Sequence, residues 1–149
     1  MPTIRRQITI AASPRSVWNA LTTVEGLAAW LGDEVRVDGR AGGRVSLRVR
    51  AAGGVTNEET GFFHVFRPTA KLEVSWDGRS PGPWKSTFTQ FSVARDRNET
   101  VLNVVHEGPQ MDDAEARATI DDTWRAALTS LRDGLERAAA AAAKRPSLA

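Results

Sequence analysis

The chain of 149 residues has no cysteine, which removes disulfides and thiolate metal sites from consideration. It has only two histidines, His64 and His106, and without cysteine these make a poor zinc set. No phosphate-cradling glycine motif occurs either, so neither a metal nor a cofactor is expected. Tyrosine is absent and lysine is scarce, 3 against 17 arginines, so the basic balance is carried by arginine and the formal net charge is only +2. No apolar run approaches the ~18 residues of a membrane span, so membrane insertion is not expected. Met1 to Arg6 lack the apolar core of a signal peptide, and a cytoplasmic location is the expectation. The length suits one domain over 1–149, with an ordered core at about 3–138 and an alanine-rich tail at 139–149.

One stretch, 112–137, has clean helical periodicity. Ile120, Trp124, Leu128, Leu131 and Leu135 recur every three or four residues and so form one stripe. Asp112, Asp113 and Glu115 crowd its first turn, where carboxylates complement the positive dipole end. Residues 138–143 can extend the helix, and Pro146 stops it. No upstream segment is an equal helical partner, so the stripe must be buried against a sheet.

That sheet is legible as alternation. Ile4, Ile8 and Ile10 share a parity within 3–11. Ser13-Pro14 then opens a short helix through Val17, Trp18 and Leu21. A second short helix carries Val24, Leu27, Trp30 and Leu31, with Gly32 as the expected cap. Val35 and Val37 begin a set of strands, and Val45, Leu47 and Val49 alternate with arginine and serine. Segments 57–66, 71–76, 85–94 and 100–106 make seven strands in all. A curved antiparallel meander around one long helix satisfies this order. Alternate connections, at 51–56, 77–84 and 107–113 together with the link 31–34, then gather at one end, around the start of the long helix.

Ser13-Pro14-Arg15-Ser16-Val17-Trp18-Asn19-Ala20-Leu21-Thr22 and Leu27-Ala28-Ala29-Trp30-Leu31-Gly32 carry a resemblance, as do 61–68, 72–76, His106-Glu107-Gly108 and Trp124. The chain resembles a bacterial SRPBCC (START-like) protein, of the subgroup homologous to the activator of the ninety-kilodalton heat-shock chaperone's ATPase. The resemblance covers about 3–137 and implies an α+β helix-grip fold of the START/Bet v 1 kind. It also implies a hydrophobic cavity between sheet and helix, and relatives that bind lipids, polyketides or other apolar molecules. Its motifs are scaffold residues, so they speak for fold more than function.

Several residues invite chemistry. Gly78-Arg79-Ser80-Pro81-Gly82 matches the G-x-S-x-G nucleophile pattern, but Pro81 lacks the N–H an oxyanion hole needs, and no helix follows. Ser80 is therefore expected to be dispensable for hydrolysis and the segment to be a mouth loop. His106 shares parity with Leu102 and Val104 and should point inward, as a hydrogen-bonded structural histidine or an acid–base group. Glu59 shares parity with Phe63. A strand-end position near solvent is the favoured reading, a cavity carboxylate with a raised pKa the other. Arg36, Arg44, Arg48 and Arg50 line the outer parity without interleaved aromatics, so a solvated face is expected and no nucleic acid. Trp76 and Trp84 flank the 77–84 connection and suit a wet apolar rim. Phe62, Phe66, Phe88, Val101 and Val105 share the outer parity, a strip that a homodimer could cover, unless a bulge near Phe66 swings it inward.

The leading expectation is a binder of a small apolar or amphipathic ligand, lined by Trp30, Leu47, Phe63, Val74, Trp76, Thr89, Phe91, Ile120 and Trp124. An enzyme of cyclase or hydrolase type in the same cavity, using His106 or Glu59, is the second. A chaperone-interaction module is the third.

Overall fold

The computed structural model describes residues 3–144. Strand β1 (Ile4–Ile10) is followed by helices α1 (Pro14–Thr22) and α2 (Val24–Trp30), then by β2 (Gly32–Val37), β3 (Arg44–Arg50), β4 (Thr56–Arg67), β5 (Lys71–Trp76), β6 (Phe88–Asp96) and β7 (Glu99–Glu107), and finally α3 (Ala114–Ala143). All seven strands form one antiparallel sheet in the order β1-β7-β6-β5-β4-β3-β2. It curls as a half-barrel around α3, which is the helix-grip arrangement.

Local chemistry explains the element ends. Ser13 caps α1 by accepting from the Ser16 N–H at 3.1 Å, with Pro14 at the first helical position. Thr23 ends α1 and caps α2, accepting from the Gly26 N–H at 3.0 Å. The turn is so tight that a Cβ on Gly26 would lie 2.4 Å from the Asn19 carbonyl oxygen. Gly32 does not cap α2. Leu31 does, and Gly32 opens β2, where a Cβ would lie 2.1 Å from the Arg48 carbonyl oxygen, so close strand approach is what requires glycine there. Asp113 caps α3 by accepting from the N–H groups of Glu115 and Ala116, after a single 3-10 turn at Pro109–Asp112 that includes Asp112. The alanine-rich segment continues α3 to Ala143, and Pro146 lies outside the described residues.

The stripe Ile120, Trp124, Leu128 and Leu131 is buried, while Leu135 is only half-buried. Burial of each leucine contributes roughly 2 kcal/mol. The Arg6 guanidinium grips the Asp121 carboxylate at 2.7 and 2.9 Å, and the Ala11 N–H donates to Glu136 at 2.8 Å, fixing α3 along β1. Helix α3 also contacts the turns at Ala52–Gly54 and Pro109–Asp112.

Two strand expectations change. Strand β6 begins at Phe88, not residue 85, because 77–87 forms a longer loop that turns back into the sheet. In β4 the register shifts between Phe63 and Val65, and Phe66 turns inward to pack on Trp18 (5.2 Å) and Phe63 (5.4 Å). That bulge takes Phe66 out of the outer strip. Among the described residues, no helix is long and apolar enough to cross a membrane.

Candidate functional site

The nine expected lining residues are all buried: six on strands at the concave side of the sheet, Trp30 on α2 beside it, and Ile120 and Trp124 on the facing stripe of α3. Alternation on β3, β4, β5 and β6 places Leu47, Phe63, Val74, Thr89 and Phe91 inward. Trp30 approaches Trp124 from α2 at 6.4 Å, and Phe91 meets it edge-on at 5.7 Å. Ile120 lies one helical turn before Trp124.

Trp84 occupies the middle of this aromatic group. It is not a rim residue: it is 1% exposed, and Trp76 is buried as well. The Trp84 indole stacks on Trp124 at 5.1 Å with the planes 16° apart. It meets Trp76 at 5.1 Å and His106 at 5.2 Å, both edge-to-face. These are favourable aromatic geometries. The wet rim expected of Trp76 and Trp84 is thus replaced by a ring that the loop carries inward.

Polar groups thread the cluster. The Trp76 Nε1–H donates to Thr89 Oγ1 at 2.9 Å, and Thr89 Oγ1 lies 2.9 Å from His106 Nδ1. The Trp124 indole N–H also donates to His106 Nδ1, at 3.2 Å. An indole nitrogen can only donate, so Nδ1 is the acceptor and the proton of the neutral ring sits on Nε2. That Nε2 is buried and has no hydrogen-bond partner among the described residues. Burial pushes the His106 pKa down to about 3, so the ring stays neutral.

Glu59 is not near solvent. It is 0% exposed, beneath the 77–87 loop, because its inward parity on β4 places it where the loop closes. Oε1 accepts from the Ser80 hydroxyl at 2.7 Å and Oε2 from the Trp84 N–H at 3.2 Å. The Thr60 N–H in turn donates to Ser80 Oγ at 3.2 Å. Burial pushes the Glu59 pKa up to about 7, against the opposing pull of those two donors. Gly82 covers the carboxylate closely: a Cβ there would lie 2.0 Å from Oε2. Ser80 therefore sits in a turn between two strands and serves as the loop's tether. Parity aimed Glu59 inward, but nothing in the sequence paired it with Ser80.

Elsewhere, Arg44 pairs with Asp77 and Arg48 with Asp33, at 2.8 Å in the latter case, where Arg48 holds the Asp33 carboxyl below its ordinary range. These are partly exposed surface pairs, in keeping with a solvated arginine face. No group of three or more potential metal-ligating side chains occurs among the described residues. An open apolar groove of about 450 Å³ lies away from this chemistry, between α1, α2 and α3, along Ala20, Gly26, Ala29, Leu131 and Gly134.

A half-barrel sheet closed on a long C-terminal helix, with two short helices after the first strand and an aromatic interior between the layers, defines a protein of the START-like helix-grip class. The sequence profile of the Activator of Hsp90 ATPase homolog 1-like proteins matches residues 11–136, and the chain belongs to that family. No curated protein matches the sequence. Among solved structures, the Aha1 dimer from Colwellia psychrerythraea is 27% identical, with 91% of this chain and 97% of that chain covered and a TM-score of 0.74. Protein CV1439 from Chromobacterium violaceum is 23% identical, with 91% and 99% covered and a TM-score of 0.72. DynU16, a protein of the dynemicin biosynthetic locus, is 19% identical, with 91% and 48% covered and a TM-score of 0.74. The last two show likeness of fold.

Proposed function

We propose that this protein binds a small hydrophobic or amphipathic molecule between the concave face of the sheet and the first half of α3. The observation that carries this reading is the position of Trp84. The centre of the aromatic cluster is filled by a side chain of the 77–87 loop and by neither of the two layers that grip it. A loop held by a serine, a buried carboxylate and a few turn hydrogen bonds can withdraw in a way that a strand cannot. Its withdrawal would leave a slot walled by Trp76, Phe91 and Trp124, an apolar site with few polar groups. The helix-grip class often binds hydrophobic ligands, and one structural relative comes from a biosynthetic locus, which agrees with this reading.

Native mass spectrometry of the protein purified from its own host tests the proposal. A discrete non-covalent adduct, lost on denaturation, is expected. Neither an adduct nor any change of tryptophan emission across a panel of fatty acids and aromatic polyketides would reject it.

A second reading, catalysis in the same place, is favoured by one observation: two buried titratable groups with displaced pKa values, Glu59 and His106, both approach Trp84. Turnover of a bound ligand that disappears in Glu59→Gln while binding persists would select it. The Colwellia relative is a dimer, and a dimer of this chain would use the outer sheet face. Phe88, 47% exposed, and Phe62 flank Ser75 there in register, whereas Val101 and Val105 are separated by Asn103.

A further inference from the structure

Resting on the ligand-binding reading, we infer that Trp84 is a built-in occupant of the site, and that the ligand displacing it lays a flat aromatic ring on Trp124 and offers a neutral hydrogen-bond acceptor to the Nε2–H of His106.

The shape half follows from the indole itself. It lies parallel to Trp124, with Trp76 and His106 presented edge-to-face around it. These contacts select a planar ring system of about indole width, and they are all non-covalent, so an incoming ring can reproduce each of them.

The chemical half follows from what the indole cannot do. Its nitrogen is a donor only, so Trp84 offers a histidine edge no lone-pair acceptor, only the weak π face of its ring. The Thr89 hydroxyl donates its proton to His106 Nδ1, because Nδ1 already accepts from the Trp124 indole N–H and carries no proton of its own. The Nε2–H is thus a buried donor that the closed loop leaves unsatisfied. Such a group is costly, and an acceptor on the ligand removes the cost. Because burial keeps His106 neutral, it supplies no charge to balance a buried anion. The matching group is a ketone, quinone or ether oxygen, and a carboxylate is disfavoured.

The closed loop is also under local tension. Ser86 adopts φ of 60°, a left-handed conformation that a non-glycine residue adopts at a cost, and loop opening releases it. Of the loop's later residues, 81, 83, 85 and 86 are exposed, so only Ser80, Gly82, Trp84 and Thr87 must leave buried positions.

The test uses the full chain and two naphthalenes of equal outline, 2-acetylnaphthalene, which carries a ketone, and 2-isopropylnaphthalene, which does not. Affinity is measured by calorimetry, and the His106 ring and Trp124 indole resonances are followed by nitrogen-15 NMR. Trp84→Ala is expected to bind the ketone at least tenfold more tightly than the wild type, since the competing indole is gone. It should prefer the ketone over the hydrocarbon at least fivefold. The His106 Nε2–H resonance should move downfield with the ketone alone, and the Trp124 indole resonance should move with both probes. Gly82→Ala is the second variant. It keeps Trp84 but forces the loop off Glu59, and it should also bind more tightly than wild type. Equal affinity for both probes with a stationary His106 signal overturns the acceptor assignment and leaves the ligand-binding reading standing. Variants that bind no more tightly than wild type overturn the occupant role of Trp84. If all three proteins bind neither probe, the inference falls, while the ligand-binding reading is judged separately by the native adduct and the fatty-acid panel.

Discussion

Glu59→Gln should change the pH dependence of stability more than its magnitude at any one pH. The Glu59 carboxyl, ordinarily at 4.5, is pushed up to about 7, and His106, ordinarily at 6.5, is pushed down to about 3. Between pH ~4.5 and ~6.5 the folded protein therefore keeps a proton on Glu59 that the unfolded chain releases. Over the same interval it refuses a proton on His106 that the unfolded chain accepts. Taken alone, Glu59 makes a stability contribution present in full below pH ~4.5 and lost as pH rises toward ~7. Taken alone, His106 makes one present above pH ~6.5 and lost as pH falls toward ~3. One proton taken up and one refused leave no net proton linkage from this pair across the shared interval, so their slopes cancel. Glutamine removes one side of that balance. Relative to wild type, the stability of Glu59→Gln should rise with pH by about 1.4 kcal/mol per unit, or about 3 kcal/mol from pH 4.5 to 6.5. A pH-independent offset of about 1–3 kcal/mol accompanies it, because the glutamine amide cannot accept from both the Ser80 hydroxyl and the Trp84 N–H. Urea unfolding at three pH values, with m-values held equal between the two proteins, separates the two terms. Parallel stability curves for wild type and variant would refute the reasoning, since they would mean that Glu59 is ionised in the folded protein through this range.

Trp124→Ala should destabilise the fold by about 3–5 kcal/mol in thermal or urea unfolding, because it removes a fully buried ring that Trp84, Trp30 and Phe91 all touch. Ser80→Ala should cost about 1 kcal/mol and move the Glu59 titration further up, seen in a carbon-13 NMR titration, because the serine hydroxyl is one of two donors that hold the carboxylate. Leu131→Ala should cost about 2–5 kcal/mol and Leu135→Ala distinctly less, since Leu131 is buried and Leu135 only half-buried. Asp113→Ala should weaken the start of α3 by about 1 kcal/mol, measurable as faster amide exchange at Glu115 and Ala116.

The element order and the inward set were decided by sequence. Alternation in β3 and β5 and the three-and-four spacing in α3 are local properties of residue type. Leu47, Val74, Ile120 and Trp124 could therefore be placed on the buried side before any contact was known. The capping residues Ser13 and Thr23 act within three residues of themselves and are local in the same way. The content of the 77–87 loop was not local. A loop has no period to read, so whether Trp84 lies on the rim or between Trp76 and Trp124 depends on strands and a helix far from it in sequence. Glu59 illustrates the same limit: parity aimed it inward, but only the loop folding over β4 removed its water and brought Ser80 to it. For Phe66 the sequence left two faces open, the outer strip or an inward turn at a bulge, and only the register shift between β4 and β5 decided for the second. The unsatisfied Nε2 of His106 is likewise a tertiary fact. Sequence supplied the histidine and its facing, and the convergence of Thr89 and Trp124 on its other nitrogen decided where the proton lies.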